Sequence, residues 1–397
     1  MSIINYIFYF ILFFILFYLE NYNITDSLTF SQAWKIPLVF FMIWYVIRRR
    51  NVDRPKFNKV AYFIGLKNIF NQGILINPAT NIIETFRFTN FPLLYDTFNI
   101  YFKDPEKLQK FIIRISQYFI LSSIPYLIGI LKSVKEGIEF GESLSFIGIF
   151  QNAHSASIIS SLALLVLVYH LKTDRPSLVM CIYNILLICL GLYCLYFAFV
   201  RTGYLMFAIG LTVLFLPSKI SIRQSVLFFI LAISLVATFY HLMETNESFR
   251  YRILDQKEGE QRAAGSGRLI LAASSLKYWA EGNLHQLILG RGLDNVKDNI
   301  EKRTGLRNFS HNGFVDAIAV NGLIGISLLL LFIYFTYKNI RRNKKAKTYR
   351  LSLAIFLCYL SFQLTQGGIL FPIDLYIISI LNLNNKEHLS FNKSSNI

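Results

Sequence analysis

Long apolar runs restrict this chain more than any other feature. Ile3–Leu19, Phe111–Leu131, Val179–Val200 and Val226–Leu242 are dominated by aliphatic and aromatic side chains. A helix of about 18–20 residues crosses a hydrocarbon core of ~30 Å. In lipid every backbone polar group must be satisfied inside the structure, so only helices or closed barrels can span. A barrel needs alternating polarity over ~10-residue strands, and that pattern is absent. The expected fold class is an all-α polytopic membrane protein with about 12 transmembrane helices, ten at the least. Charged residues make up 16% of the chain, against roughly 25% in soluble domains.

Ile3–Leu19 has the length of a signal-peptide core. No basic segment precedes it and no small-residue cleavage site follows, only Glu20-Asn21-Tyr22-Asn23, so it reads as a retained first span. The formal charge of +17 raises nucleic acid as a partner. In a membrane chain the same surplus reads as topology, because Lys and Arg collect in cytoplasmic loops. Basic clusters lie at Arg48–Lys59, Lys103–Lys110, Lys172–Arg175, Lys219–Arg223 and Arg341–Arg350. Placing them all inside puts both termini inside. It predicts spans near 3–19, 33–47, 111–131, 146–171, 224–241, 313–337, 351–368 and 370–383, and two more within 177–216. A further pair is expected within 60–100, where Asn68, Asn71, Gln72 and Asn77 interrupt the apolar pattern. No internal repeat or low-complexity linker divides the chain, which reads as a single integral membrane domain, 1–397. Cys181, Cys189, Cys194 and Cys358 lie inside apolar runs without a CxxC pair, as small core residues do.

One polar stretch, 242–312, is much longer than the other connectors, and the alternating topology makes it a large extracytoplasmic loop with short helices. It holds eleven Lys and Arg against nine Asp and Glu between 242 and 311, a mixed surface with selected arginines. Gly265-Ser266-Gly267-Arg268 precedes Leu269, Ala272, Ala273, Leu276 and Trp279. That spacing predicts a short amphipathic helix lying on the membrane surface. A helix N-terminus attracts anions and disfavours a cation. Arg268 there is either an anion-binding residue or an exposed surface arginine. Gly290-Arg291-Gly292-Leu293 reads as a turn, and Arg303 and Arg307 lead on to Ser310-His311-Asn312-Gly313. Ser310 is the expected N-cap and His311 the expected start of the next span. The dipole there favours neutral imidazole, which can accept a proton from a sugar hydroxyl. A capping or interfacial histidine fits the spacing too. Further along, Gly322-Leu323-Ile324-Gly325 permits close helix packing, and Asp316 and Asn321 should face protein.

Arg201 is the only charge within 177–216 and falls in the turn Val200-Arg201-Thr202-Gly203. It is either a solvated hairpin arginine or an interfacial functional one. His154, in Phe150-Gln151-Asn152-Ala153-His154, has structural hydrogen bonding as its alternative. His285 and His388 read as surface residues. Glu244, Glu247, Asp255 and Asp294 lack ligand-like spacing.

Together these segments resemble the O-antigen polymerase and ligase superfamily of bacterial envelope polysaccharide assembly. Val200-Arg201-Thr202-Gly203 is similar to its arginine turn, and Gly267-Arg268-Leu269 running to Trp279 to the first helix of its external loop. Leu289-Gly290-Arg291-Gly292-Leu293 resembles its glycine turn. Ser310-His311-Asn312-Gly313 followed by Asn321-Gly322-Leu323-Ile324-Gly325 resembles its histidine-asparagine segment and glycine pair. The likeness covers about residues 150–340.

The resemblance implies glycosyl transfer from a glycan carried on a polyprenyl diphosphate, such as undecaprenyl diphosphate. The reaction would occur at the outer face of the bacterial plasma (inner) membrane. Arg201 and Arg268 would neutralise the diphosphate leaving group, and His311 would be the base. Arg291, Arg262, Arg307, Asn312 and His154 would bind substrate. No cofactor, metal or nucleic acid is implied. The implied partners are the lipid-linked donor and acceptor, membrane lipids, and a chain-length regulator and flippase of the same pathway. The favoured activity is a polymerase making O-antigen, capsular or exopolysaccharide. The alternative is an O-antigen ligase that transfers the glycan to lipid A-core of lipopolysaccharide. A lipid-linked oligosaccharide transporter is a second alternative. Transporters place polar groups at mid-membrane, often with repeated halves, and neither sign is visible here.

Overall fold

The computed structural model describes residues 3–19, 22, 30–49, 54–70, 78–133, 139–140, 143–150, 152–174, 176–216, 237, 240–241, 244–246, 250, 256–257, 260–261, 268–305, 307–367 and 371–394. Helix dominates them. In chain order the helices are α1 (Ile3–Leu19), α2 (Phe30–Arg48), α3 (Lys56–Lys67), α4 (Pro78–Tyr101), α5 (Pro105–Leu121), α6 (Ile124–Leu127), α7 (Ala153–Asp174) and α8 (Leu178–Phe197). They continue as α9 (Arg201–Phe215), α10 (Arg268–Ala280), α11 (Leu284–Leu289), α12 (Leu293–Thr304), α13 (Gly313–Arg342), α14 (Tyr349–Thr365) and α15 (Phe371–Ser394). Two antiparallel pairs of two-residue strands complete the described elements, Glu139–Phe140 with Ser143–Leu144 and Gln256–Lys257 with Glu260–Gln261.

Helices α7, α8 and α13 are long and apolar enough to cross a membrane, and Ile4–Leu19, α9 and α14 are shorter apolar helices. Two segments differ from expectation. The predicted span 111–131 is instead a helix that starts at Pro105 and stops at Leu121. Ser122 and Ser123 turn their hydroxyls onto the Phe119 and Ile120 carbonyls at 2.7 and 2.5 Å. Pro125 then has no amide to continue the ladder. Within 60–100 the chain forms the 12-residue α3, a 3-10 turn at Asn68–Phe70 and the 24-residue α4. At 1.5 Å per residue α3 is about 18 Å long, short of a ~30 Å core. Most of the predicted span 224–241 lies outside the described residues.

The chain forms two compact units, Met1–Asn21 with Ile115–Ser266, and Tyr22–Arg114 with Gly267–Ile397. In the first, α7 is buried over most of its length, with α8 and α9 packed on it. Ser161 Oγ donates to the Gly203 carbonyl at 2.8 Å, and Lys172 Nζ donates to the Leu214 carbonyl at 2.7 Å. Thus α7 and α9 run parallel with their N-termini at one end. The close approach needs Gly203, since a Cβ there would collide with Ser157. Tyr6 Oη donates to Gln117 Oε1 at 3.2 Å, and Gln117 Nε2 donates to Asn184 Oδ1 at 2.9 Å. These bonds join α1, the second half of α5 and α8, and satisfy polar groups that burial would otherwise penalise.

In the second unit, fully buried Asp96 accepts from Arg54 Nε at 2.6 Å, Asn58 Nδ2 at 2.7 Å and Tyr62 Oη at 2.8 Å. That network fixes α3 on α4. Asn382 Nδ2 donates to the Tyr95 carbonyl at 3.2 Å, and Asn385 Nδ2 donates to Tyr95 Oη at 2.8 Å, which holds α15 there too. Helices α10 and α12 pack against the first half of α13 through Leu271, Val296, Ile300, Ala319 and Val320. Helix α10 forms where the sequence predicts it. It buries Leu271 and Ser275, however, while Leu269, Ile270 and Leu276 point outward. Of the apolar stripe read from the sequence, Leu269, Ala273 and Leu276 thus face outward, whereas Trp279 packs on the core of this unit.

Candidate functional site

His311 stands immediately before α13, outside the helix, with a left-handed backbone (φ 57°). The N-cap is Asn312, which corrects the expectation of Ser310 in that role. Asn312 Oδ1 accepts from the Phe314 and Val315 amides at 3.0 and 3.2 Å, and its Nδ2 donates to the Leu364 carbonyl at 3.3 Å. Buried Ser310 supports the turn. Its amide donates to Asp316 Oδ1 at 3.2 Å, its hydroxyl donates to the Asn312 carbonyl at 3.0 Å, and the Asn312 amide donates back to its Oγ at 3.1 Å. These bonds hold His311 in a conformation that costs a non-glycine residue roughly 1–3 kcal/mol. Asp316 and Asn321 face protein, as expected.

Arg268, the first residue of α10, donates from Nη1 to the Thr365 carbonyl at 2.8 Å. A cation disfavoured at its own helix N-terminus is thus placed at the C-terminal end of α14, where carbonyls are left without helical partners. His311 shares this neighbourhood. Burial pushes its imidazole below the ordinary histidine value, the Arg268 charge adds to the effect, and a hydrogen bond with Gln366 opposes it. Neutral imidazole is the favoured form, through burial first and the neighbouring cation second.

Arg291 occupies the expected turn, between Gly290 (φ 86°) and Gly292 (φ 80°). It is 8% exposed, with its guanidinium carbon 3.9 Å from the Tyr278 ring centroid, and its buried Nε has no hydrogen-bond partner among the described residues. The turn is seated on a break in α13. Gly322 has φ 66° and ψ −168° inside the helix, and the carbonyls of Ala319 and Val320 accept from the Arg291 and Gly292 amides at 3.2 and 3.1 Å. The glycines of Gly322-Leu323-Ile324-Gly325 were expected to bring helices together. Gly322 instead admits the backbone of another segment, as helix breaks permit when new donors reach the freed carbonyls. Lys67 supplies further donors, from Nζ to the Leu289 carbonyl at 2.8 Å, the Asn321 carbonyl at 2.5 Å and Asn321 Oδ1 at 3.0 Å.

The remaining candidates lie elsewhere. Arg307 is exposed and ion-paired with Asp298 at 2.8 Å, with Asp294 and Glu301 at 3.8 and 3.7 Å. Arg303 pairs with Glu281 at 2.7 Å. Arg262 lies outside the described residues. In the first unit, Arg201 is half-buried as the first residue of α9, after a turn in which Phe199 is left-handed (φ 51°). His154 is the second residue of α7. Since Ser157 and Gly203 touch, His154 and Arg201 share one end of that helix pair, and Lys172 marks the other.

A cavity of about 280 Å³ opens within the second unit. Its walls are largely apolar, including Phe88, Phe91, Leu328 and Phe332, with Lys67, Asp316, Gln363 and Gln366 among its polar positions. His311, Arg268 and Arg291 are not in the lining; Gln366 and Gly313 link the cavity to the His311 turn. Gln366 and Lys67 went unread in the sequence. The one signal was Lys67 as a lone cation in the apolar stretch 60–70.

Residues 185–330 match the family model described as O-Antigen ligase. No curated protein matches the chain significantly.

Proposed function

We propose that this chain, whose residues 185–330 match the family model described as O-Antigen ligase, is a membrane glycosyltransferase of the O-antigen polymerase and ligase superfamily. It would polymerise polyprenyl-diphosphate-linked oligosaccharide repeat units. The observation that carries this reading is the grouping of His311, Arg268 and Gln366 just before α13. The acceptor hydroxyl oxygen attacks the anomeric carbon of the donor sugar. Its proton passes to the neutral His311 imidazole. The bond between that carbon and the diphosphate oxygen breaks, and polyprenyl diphosphate departs with the electron pair. Arg268 and Arg291 stabilise the charge that collects on the leaving group, the kind of contribution that is usually largest in such transfers. Arginine suits it by staying charged and offering paired donors to phosphate oxygens. Arg201, in the other unit, is assigned the same chemistry and is tested separately.

The proposed setting is the bacterial plasma membrane, with α7, α8 and α13 among the spans and 242–312 on the extracytoplasmic side. Support comes from α13, whose C-terminal end carries Arg341 and Arg342 while His311 precedes its N-terminal end. Basic residues favour the cytoplasmic side.

A second reading, ligation of the glycan to lipid A-core, is favoured by the description of the matching family model. A deletion strain separates the two. Loss of a polymerase leaves single repeat units attached to lipid-core, whereas loss of a ligase leaves none attached and accumulates lipid-linked polymer. For the site, Arg201→Ala and Arg268→Ala should each abolish chain extension while the protein still inserts. Normal long-chain polysaccharide in both variants would sink the proposal. Polymerisation of preformed lipid-linked units by the purified protein in detergent would exclude a purely transporting role.

A further inference from the structure

We propose that Lys67 is a positioning residue for Arg291: its ammonium ties the Gly290-Arg291-Gly292 turn to the break in α13 and so sets where the guanidinium stands. The functional meaning of this rests on the reading of Arg291 as a diphosphate-binding residue.

Four carbonyls meet at the junction. Leu289 ends α11, and Ala319, Val320 and Asn321 precede the break at Gly322. Each has lost, or stands to lose, its helical partner. The turn's own amides take two of them, Arg291 on Ala319 and Gly292 on Val320. The other two, Leu289 and Asn321, accept from Lys67 Nζ, which also reaches Asn321 Oδ1. An ammonium has three donors and no acceptor, so the three bonds use it completely. Lys67 is 8% exposed, and no carboxylate among the described residues pairs with it. A cation buried without a countercharge is costly unless fully hydrogen-bonded. Its presence here is accounted for by the oxygens it bridges.

Arg291 stands in the turn that this clamp holds. Its head group stacks on Tyr278, and Nε finds no partner among the described residues. Among the described residues no hydrogen bond runs from its guanidinium to another side chain. Its position is inherited from the backbone of the turn, and Lys67 bonds to both sides of that turn's seat. Lys67 comes from α3, 222 residues before Leu289 and 254 before Asn321, so the clamp joins segments that are remote in the chain.

The test uses the full-length protein in detergent, with Lys67→Met to remove the donors and Lys67→Gln to return two of them. Hydrogen exchange read by mass spectrometry should rise at least tenfold at the Arg291 and Gly292 amides in Lys67→Met. Lys67→Gln should fall between, and α12 should be unchanged. Binding is read with farnesyl diphosphate as the probe. Lys67→Met and Arg291→Lys should each weaken it about tenfold, and the double variant should be no weaker than Arg291→Lys alone within about twofold. Unchanged exchange at 290–292, a rise spread evenly over the unit, or additive binding losses would each overturn the proposal. If exchange follows the expected pattern while the unmodified protein fails to bind farnesyl diphosphate, the positioning role stands and the diphosphate reading of Arg291 falls.

Discussion

Replacing Gly322 by alanine tests whether the Arg291 turn is seated by direct backbone contact. Gly322 has φ 66° and ψ −168°, a region essentially closed to residues with a Cβ, and forcing one there costs about 1–3 kcal/mol. The new methyl would also collide with the Ile288 carbonyl and the Gly290 amide. Both are backbone atoms, so the turn has to retreat. Retreat breaks the bonds from Arg291 and Gly292 to Ala319 and Val320, at about 1 kcal/mol each. The sum is roughly 3–5 kcal/mol. Gly305→Ala is the matched control. It has a comparable φ of 74°, with ψ 2°, but open space where the Cβ would go, so only the left-handed backbone cost of about 1–2 kcal/mol applies. The expected difference of about 2–3 kcal/mol corresponds to roughly 30- to 150-fold in an opening equilibrium. Hydrogen exchange of the 288–293 segment in the purified, full-length protein reads that equilibrium directly. Equal exchange in the two variants would refute the backbone-seating argument.

Contacts within single units carry three further expectations. Arg268→Gln removes a cation that depresses His311, so the imidazole pKa should rise, whereas Gln366→Leu removes a bond that favours the charged form and should lower it. Histidine-selective NMR titration checks both, and shifts in the same direction would contradict the assigned causes. Because the folded value lies below the ordinary one of about 6.5, the unfolded chain binds more protons in between. His311's contribution is thus complete above roughly pH 6.5 and is lost as pH falls through the window beneath it; Arg268→Gln should narrow that window. In the first unit, Gly203→Ala should force α9 from α7 by collision with Ser157, at about 1–3 kcal/mol. Ser157→Gly in the same chain should recover most of the lost thermal resistance, and no recovery would point to a different cause.

The parts of this protein that could be read in advance are those written in local pattern. Apolar runs locate α1, α7, α8 and α13, because a helix in lipid satisfies its own backbone and needs only length and polarity to be recognised. The 3.6-residue period locates α10, and paired glycines locate the Arg291 turn. Its outward stripe, Leu269 and Leu276, shows the limit of the same signal. Periodicity marks a face but does not say what covers it. The helix start beyond His311 was placed within two residues, yet the cap passed from Ser310 to Asn312, since both can accept from an exposed amide and the choice depended on Asp316 and Leu364. Gly322 looked like a packing glycine because close approach of any kind calls for the same residue. That the approaching group is the backbone of 288–292, with Lys67 supplying the missing donors, depends on hydrogen bonds spanning 222 and 254 residues. Such bonds leave no periodic trace, so in the sequence Lys67 is one lysine in an apolar stretch. Folded, it holds the turn that carries Arg291.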